Sequence, residues 1–130
     1  MKLSELKTSE ELLEEQLQSN SEFRAEWERT ALARFIAIEV LRHRTDRGWS
    51  QRKLGEVLGM TQPQVARLEA GERTPNFDTL VRVAAGLGIE LTINVTPSNR
   101  KPHLVTKRAQ TANAVGEIHT DRANLLVAAG

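Results

Sequence analysis

Two short helices with clear start and stop signals lie next to each other in the middle of the sequence. The stretch SQRKLGEVLGMTQPQVARLEAGERTP, residues 50–75, has helix caps at Ser50 and Thr61 and helix-ending glycines at Gly59 and Gly71. These signals predict two helices joined by a tight turn that contains a glycine, which is the arrangement of a helix-turn-helix motif. A chain with this constraint is expected to be mainly α and to fold as a compact helical bundle.

The start of the second helix is specified by several residues at once. Gln64 stands three residues after Thr61 and completes a capping box, while Met60 and Val65 occupy the two positions of a hydrophobic staple. Pro63 lies in the first turn, where a missing N–H costs nothing. We expect one apolar set to point inward and to lock the two helices at a fixed angle: Leu54, Val57, Leu58, Val65 and Leu68, with Ala66 at its margin.

The outward side of the second helix carries polar side chains that suit base recognition. A recognition helix enters the major groove by its N-terminal end, so Gln62, Gln64 and Arg67 would face the bases. Glutamine can bond adenine, and arginine can bond guanine, through two hydrogen bonds each. Free N–H groups at the start of the first helix suit a phosphate, and the residues there are Ser50, Gln51, Arg52 and Lys53.

Charge is strongly segregated along a chain whose formal net charge is only +1. Residues 5–28 carry eight acids and two bases, whereas residues 29–53 carry seven bases and two acids. The basic segment suits a polyanion, and the acidic segment suits a cation. The acidic segment also bears apolar side chains that can anchor a partner protein: Leu12, Leu13, Leu17, Phe23 and Trp27.

Helical patterns flank the motif on both sides. A capping-box pattern at Thr8 predicts the start of an acidic helix, which the segment SNSE at residues 19–22 interrupts. From Phe23 an i, i+4 pattern predicts one helix that runs without a break to about Arg47. A further helix is predicted over residues 76–88, with an asparagine cap and a glycine stop.

The hydrophobic pattern changes period after this helix. In IELTINV, residues 89–95, apolar and polar residues alternate, which predicts a half-buried strand. A single strand cannot satisfy its own backbone, so it pairs either with its copy in a second subunit or with residues 103–106 folded back. We expect the intersubunit pairing, because the chain has few other strand candidates. The dimer strand would present Ile89, Leu91, Ile93 and Val95.

The last part of the chain is less informative. Residues 96–102 have the composition of a linker. Beyond it, spaced apolar residues predict a C-terminal helix that Gly116 and other small residues weaken: Val115, Ile118, Leu125, Leu126 and Ala129. No role for residues 96–130 follows from this pattern.

The composition argues against several classes of protein. The chain contains no cysteine, so disulfides and thiolate metal sites are excluded. No apolar run is long enough for a membrane span, and the acidic N-terminal segment is unlike a signal peptide. The histidines lack the spacing of metal ligands, and no pattern indicates an activated nucleophile. We therefore expect a cytoplasmic protein that is not an enzyme and needs no cofactor or metal.

The run WSQRKLGEVLGMTQPQVARLEAGERTPNFDTLVRVAAGLGI closely resembles the Xre-type helix-turn-helix repressors, the family of the lambda and 434 repressors. Its Ser-Gln, Leu-Gly, Thr-Gln and Leu-Glu pairs fall at the family's spacings, and the resemblance covers roughly residues 33–88. It implies a bundle of short helices, a dimer and a pseudo-palindromic operator in double-stranded DNA.

The same resemblance implies roles for individual residues. Gln51 would brace the recognition helix and its phosphate contact, and Gln62, Gln64 and Arg67 would face bases. Pro63 departs from the family at a position where a polar base-reading residue is common, so we expect weak or apolar readout there. Further residues are expected to flank the DNA backbone or to brace the motif: Thr61, Arg73, Thr74 and Asn76.

A second resemblance involves the flanks of this domain. An Xre domain preceded by NSEFRAEWER and followed by a strand like IELTINV looks like the HigA-type antitoxins of type II toxin–antitoxin pairs. This resemblance implies an antitoxin that binds a small basic ribonuclease toxin and represses its own operon. The acidic segment agrees with it, because an acidic helix with apolar anchors can cover a cationic surface.

The sequence therefore divides into four parts: an acidic helical segment 1–28, a DNA-binding domain 29–88, a dimerisation strand 89–95, and a linker with a tail 96–130. The leading hypothesis is a dimeric antitoxin that is also an autorepressor. One alternative is an Xre-type phage or operon repressor without a toxin partner. Another is a protein interaction module that keeps the fold but does not bind DNA.

Overall fold

A computed structural model describes residues 7–102, 104, 110 and 112–130 of the chain. The helices come first along the chain, and the strands follow. None of the described helices is long and apolar enough to cross a membrane. The helices are α1 Ser9–Ser19, α2 Ser21–Arg29, α3 Ala31–Asp46, α4 Gln51–Leu58, α5 Gln62–Ala70 and α6 Phe77–Leu87, and the strands are β1 Leu91–Pro97, β2 Asn113–His119 and β3 Ala123–Ala129.

Local capping sets the ends of most helices, as the sequence predicts. Thr8 and Thr61 each form a complete capping box with the residue three positions later. Ser50 and Asn76 cap α4 and α6 through their side-chain oxygens. The helices α4, α5 and α6 end at glycines with φ of 70°, 66° and 67°, a left-handed conformation that favours glycine. These predicted boundaries are confirmed.

The predicted continuous helix over residues 23–47 is wrong, because the chain breaks at Thr30 into α2 and α3. Thr30 has φ −95° and ψ 7°, outside the α-helical region. Its hydroxyl donates to the carbonyl oxygen of Glu26 at 2.9 Å, a local bond that competes with helix continuation. From α3, Arg34 Nη1 donates to the carbonyl oxygen of Trp27 at 2.7 Å and so satisfies the end of α2. The helices α1 and α2, hereafter the acidic arm, are thus separate from α3.

The hydrophobic core forms where α3, α4, α5, α6 and β3 meet. The inward set predicted for the helix-turn-helix is buried there, except that Val57 and the marginal Ala66 are only partly buried. Trp49 also packs against the core. Full burial of one such side chain contributes about 1.5–3 kcal/mol, so the core dominates the stability of the motif. Its buried members are Ile36, Val40, Leu54, Leu58, Val65, Leu68, Val83, Leu87 and Val127.

Gly55 lets the two helices of the motif approach each other closely. A Cβ atom at this position would lie 2.5 Å from the backbone oxygen of Met60 and 3.5 Å from a methyl group of Val65. A backbone carbonyl cannot move aside as a flexible side chain can, so a larger residue would push the turn away from α4. The angle between α4 and α5 therefore depends on the absence of a side chain here.

The described strands form one antiparallel sheet in the order β1-β3-β2. In its register Val95 lies opposite Leu125, and Leu125 lies opposite Ile118. The sheet packs on α3, where Gly116 leaves room for the ring of Phe35. The sheet therefore extends the core of the helical domain.

The predicted C-terminal helix is wrong, since residues 113–129 form β2 and β3. In the turn between them the N–H of Thr120 donates to the carbonyl oxygen of Ala123 at 2.8 Å. Val115 and Leu125 pack against the core, and Val127 belongs to it. These apolar residues therefore lie on the inward side of strands and do not form one side of a helix. Pairing with a distant strand overrides the local pattern, because β1 needs a hydrogen-bonding partner.

The strand after α6 is confirmed; one of its sides is paired within the chain, and its predicted pairing with a second subunit stays a prediction. β1 begins two residues later than predicted and pairs with β3 of the same chain, so its backbone does not require a second subunit. The alternative partner, residues 103–106, lies outside the described residues except for Leu104. β1 is an edge strand in the described part of the chain, and this position leaves Ile93 and Val95 36% and 66% exposed.

Candidate nucleic-acid interface

The residues predicted to contact bases lie on the exposed side of α5. Gln62, Gln64 and Arg67 are all exposed, whereas the inner side of the same helix belongs to the core. Pro63 lies among them and is exposed as well. The polar side chains and the proline ring thus lie together near the N-terminal end of α5. This is the end that a recognition helix inserts into the major groove.

The side chain of Gln64 takes part in the helix cap, and this role competes with a contact to a base. Its Oε1 accepts from the N–H of Thr61 at 2.9 Å, and Oγ1 of Thr61 accepts from the N–H of Gln64 at 3.3 Å. A bidentate contact to adenine uses both the oxygen and the nitrogen of a side-chain amide. Gln64 can therefore donate to a base while the cap is intact, but a bidentate contact requires its carbonyl oxygen to leave Thr61.

A chain of hydrogen bonds holds Gln62 and ties α5 to α4 and α3. Gln62 Nε2 donates to Gln51 Oε1 at 2.8 Å, and Gln51 Nε2 donates to Glu69 Oε1 at 3.2 Å. Glu69 also accepts from Arg44 Nε at 2.7 Å through Oε2. These four residues are hereafter the bracing chain. Gln51 lies at the middle of it, while the predicted contact of Gln51 with a phosphate stays a prediction.

Arg44 and Glu69 form the buried end of the bracing chain. Their side chains are 18% and 6% exposed. Arg44 Nη1 also donates to the carbonyl oxygen of Trp49 at 3.0 Å. The hydrogen bond to Glu69 raises the pKa of Arg44 above its ordinary value. In the sequence Glu69 lies four residues after the inward-facing Val65, where a carboxylate needs a cationic partner, but no local pattern identifies Arg44 as that partner.

The start of α4 carries exposed positive charge beside the bracing chain. Oγ of Ser50 accepts from the N–H of Lys53 at 3.0 Å, and the side chains of Arg52 and Lys53 are exposed. Lys53 Nζ lies 3.9 Å from Glu56, a surface pair that holds the ammonium group only loosely. The N–H groups of a helix start together with these cations can bind a phosphate.

A cleft between α5 and α6 gathers three arginines. It has a volume of about 450 Å³, and Arg67, Arg73 and Arg82 line it together with Thr74 and Asn76. Oδ1 of Asn76 accepts from a backbone N–H in its capping role at 2.8 Å, so its Nδ2 is the group that can reach a phosphate. The cleft therefore places cations and neutral donors at the flank of the recognition helix.

Arg82 also lines this cleft, although the sequence did not predict it as a site residue. Its Nη1 donates to the carbonyl oxygen of Gly59 at 2.9 Å, and its Nε donates to Oδ2 of Asp78 at 2.8 Å. It therefore links α6 to the turn between α4 and α5. The i, i+4 spacing from Asp78 is a local signal for the ion pair, but no local signal indicates the contact with Gly59.

The predicted partner-binding residues of the acidic arm do not form one exposed surface. Leu12 is 51% exposed, whereas Leu13, Leu17, Phe23 and Trp27 are partly buried. The rings of Phe23 and Trp27 stack with their centroids 6.1 Å apart. Leu13, Leu17 and Trp27 line one groove, which Leu12 does not line.

The predicted dimer-strand residues divide into two pairs. Ile89 and Leu91 pack against the core. Ile93 lines a shallow groove with Phe77 and Val81 of α6, which are 81% and 47% exposed. An apolar surface formed by α6 and β1 is therefore open to solvent.

Comparisons with known proteins agree with this geometry. The family model described as Helix-turn-helix matches residues 41–94. The HTH-type transcriptional regulator SutR of Escherichia coli is 32% identical over 66 residues, which cover 51% of this chain but only 37% of that protein. An HTH-type transcriptional regulator of Haemophilus influenzae is 34% identical over 92 residues, which cover 71% of this chain and 90% of that protein. No solved structure matches the chain significantly.

Replacing Glu69 by glutamine should lower the free energy of unfolding by about 1.5–3 kcal/mol, because Arg44 would keep its charge and lose its carboxylate partner. Urea denaturation near neutral pH measures the change. Glu72→Gln is the matched control, since Glu72 is exposed, and a change below about 0.5 kcal/mol is expected for it. Equal losses in the two variants would contradict a stabilising role for the ion pair.

Proposed function

Because the chain belongs to the Xre-like helix-turn-helix family of transcriptional regulators, we propose that it binds a specific sequence in double-stranded DNA and represses transcription there. The observation that carries this proposal is the bracing chain, which fixes Gln62 at the exposed end of α5. A recognition helix whose polar side chains are ordered before binding loses less conformational entropy on the DNA.

Arg67 and Gln62 read bases directly in this proposal. The guanidinium group of Arg67 can bond O6 and N7 of guanine together. Gln62 uses Nε2 to bond Gln51, which leaves its carbonyl oxygen for a donor on a base edge. Gln64 adds one donor, and the ring of Pro63 offers the apolar contact that a thymine methyl group takes.

Phosphates on either side of the recognition helix are held by the two flanking sites. Arg52 and Lys53 act at the start of α4, and Arg73 and Thr74 act from the cleft between α5 and α6. These contacts fix the register of the protein on the duplex and carry no sequence information. Their strength should fall steeply with salt concentration, because each neutralised phosphate releases counterions.

The chain acts as a two-fold dimer through the apolar surface of α6 and β1. Phe77, Val81 and Ile93 line its groove, and the exposed Val95 continues it along β1. No charged residue occurs between Leu91 and Pro97, so β1 lacks the side chains that usually protect an edge strand from pairing. A second copy of the chain covers the same surface on both sides of a two-fold axis. Two recognition helices about 34 Å apart then read successive major-groove faces.

We further propose that the acidic arm binds a small basic protein, so that the regulator is the antitoxin of a ribonuclease and represses its own operon. This hypothesis rests on the resemblance to HigA-type antitoxins and on the exposed acids of the arm: Glu10, Glu14, Glu15 and Glu22. Exposed charges contribute little to the stability of the chain itself. Opposite a cationic surface, however, they speed association and select the partner. If no such partner exists, the same DNA-binding interface would belong to a repressor without a toxin partner.

Replacing Arg67 by alanine should cost about 1–3 kcal/mol of binding free energy and relax the preference at one base position. Arg52→Ala or Lys53→Ala should instead weaken all sequences alike and flatten the salt dependence. Fluorescence anisotropy with an operator selected from random duplexes measures both effects. Arg122→Ala removes an exposed arginine from the turn between β2 and β3 and serves as the unaffected control. Unchanged base discrimination would remove Arg67 from the reading set, and no DNA binding at low salt would favour the interaction module.

Replacing Val81 by glutamate should shift the dimer toward monomer, because the interface would bury an unpaired carboxylate. Sedimentation equilibrium should show dimerisation at least about tenfold weaker, and operator affinity should fall in parallel. Ala114→Glu puts the same charge on an exposed position of β2, at the other edge of the sheet, and should leave the dimer intact. Unaltered dimerisation of Val81→Glu would mean that the interface lies elsewhere.

Affinity purification of the 130-residue chain from its native cells should recover a small basic protein in equimolar amount, whose ribonuclease activity is inhibited in the complex. A chain without residues 1–28 should lose this protein and keep operator binding, because the acidic arm makes the partner contacts. Recovery of operator DNA without any protein would support the repressor that has no toxin. Full partner affinity in the truncated chain would exclude the arm as the contact surface.

A further inference from the structure

A groove lies where the acidic arm meets the C-terminal sheet. It has a volume of about 420 Å³ and opens to solvent between α1, α2 and β2. Leu13 and Leu17 form one apolar wall, and Trp27 and Ile118 complete the apolar part of the lining. The apolar wall thus combines residues from both ends of the chain.

The rim of this groove carries unpaired negative charge. Glu10 and Glu14 line it on α1, and neither carboxylate forms an ion pair within the described part of the chain. Arg24 also lines the rim, but its Nε is paired with Glu28 at 3.1 Å. A ligand in the groove therefore meets an apolar wall beside two free carboxylates.

The lining is ordered before any ligand binds. Arg34 holds Trp27 from two sides, with its guanidinium carbon 3.5 Å from the ring centroid and its Nη1 bonded to the carbonyl oxygen of Trp27. On the opposite wall, Ile118 lies in register with Leu125 of the central strand. A groove with fixed walls costs little conformational entropy to fill.

We propose that this groove binds a positively charged segment of a partner protein, which inserts an apolar side chain between Leu17 and Ile118 and places a lysine or arginine beside Glu10 and Glu14. The inference rests on the proposed binding of a basic protein and names the surface that performs it. Charge complementarity selects this occupant. An uncharged apolar segment would desolvate the two carboxylates without compensation, whereas a cation pairs with them.

The C-terminal sheet acquires a role in partner recognition through this groove. Ile118 supplies one of its apolar anchors, so the acidic arm alone provides only part of the binding surface. Partner binding therefore needs the arm and the hairpin of β2 and β3 folded in one body. Leu12 does not line the groove, so we expect it to contribute less to partner binding than Leu13 and Leu17.

An NMR titration with a synthetic peptide tests the groove without knowledge of the natural partner. The peptide is helical, about 14 residues long, with leucines at i, i+4 and arginines between them, and its control carries glutamine in place of every arginine. The indole N–H signals report two places, because Trp27 lines the groove and Trp49 packs against the core. The arginine peptide should shift the Trp27 signal and leave the Trp49 signal unchanged. The glutamine peptide should bind at least about tenfold more weakly.

Four charge substitutions locate the binding surface. Glu14→Lys and Ile118→Lys, both in the groove, should each weaken the arginine peptide about tenfold. Glu72→Lys and Ala114→Lys introduce lysine at exposed positions outside the groove, the first just after α5 and the second on β2, and they should change the affinity for the arginine peptide less than about twofold. If Ile118→Lys disturbs the sheet, Glu14→Lys still tests the groove, because Glu14 is exposed and its substitution should leave the fold intact.

Three results would overturn the proposal: an unmoved Trp27 signal, equal affinity for the two peptides, or undiminished binding to Glu14→Lys. Failure of the antitoxin function gives a different result, because the peptide would still bind the groove while native cells yield no basic partner. A native partner that binds Glu14→Lys and Ile118→Lys as tightly as the unchanged chain would support the antitoxin function and overturn the groove.

Discussion

The ion pair between Arg44 and Glu69 connects the interior of the domain to its recognition helix. A carboxylate that is only 6% exposed needs a cation and hydrogen bonds around it, so α3 and α5 are held where Arg44 reaches Glu69. The same arginine bonds the carbonyl oxygen of Trp49 and thereby fixes the approach to α4. Gln51 and Gln62 extend this order to the surface. The polar end of α5 is thus positioned by a contact in the interior.

α3 is the element that unites the parts of the chain. Its buried side packs on α5, another part of it supports β2 and β3, and its first turn holds the acidic arm through Arg34. The sheet joins the same core as the helix-turn-helix, because Val127 of the central strand is buried with Ile36 and Val40. The acidic arm and the basic interface are therefore kept apart in a small domain, because each is held by a different part of α3.

Features that depend on adjacent residues could be predicted from the sequence, whereas those that depend on distant residues could not. Capping by Thr61 and the stop at Gly59 act within one turn, and the exposed side of α5 follows from the motif. The pairs Arg44–Glu69 and Arg82–Gly59 join residues 25 and 23 positions apart, and no local pattern encodes them. The C-terminal strands were missed for the same reason, because their small and apolar residues fit a helix as well as a strand until β1 is available for pairing. The break at Thr30 depends on a polar side chain that is also common inside helices.

The central strand of the sheet is the last of the three described strands along the chain. β1 and β2 each bond to β3, and they do not bond to each other. During synthesis on the ribosome, the described helices emerge before the strands, and α3 to α6 can fold through contacts between neighbouring elements. β1 stays unpaired on both edges until residues 123–129 have emerged. The sheet edge beside α6 and the Ile118 wall of the groove therefore form late, so a nascent chain can build its DNA-reading helix before it can build either protein-binding surface.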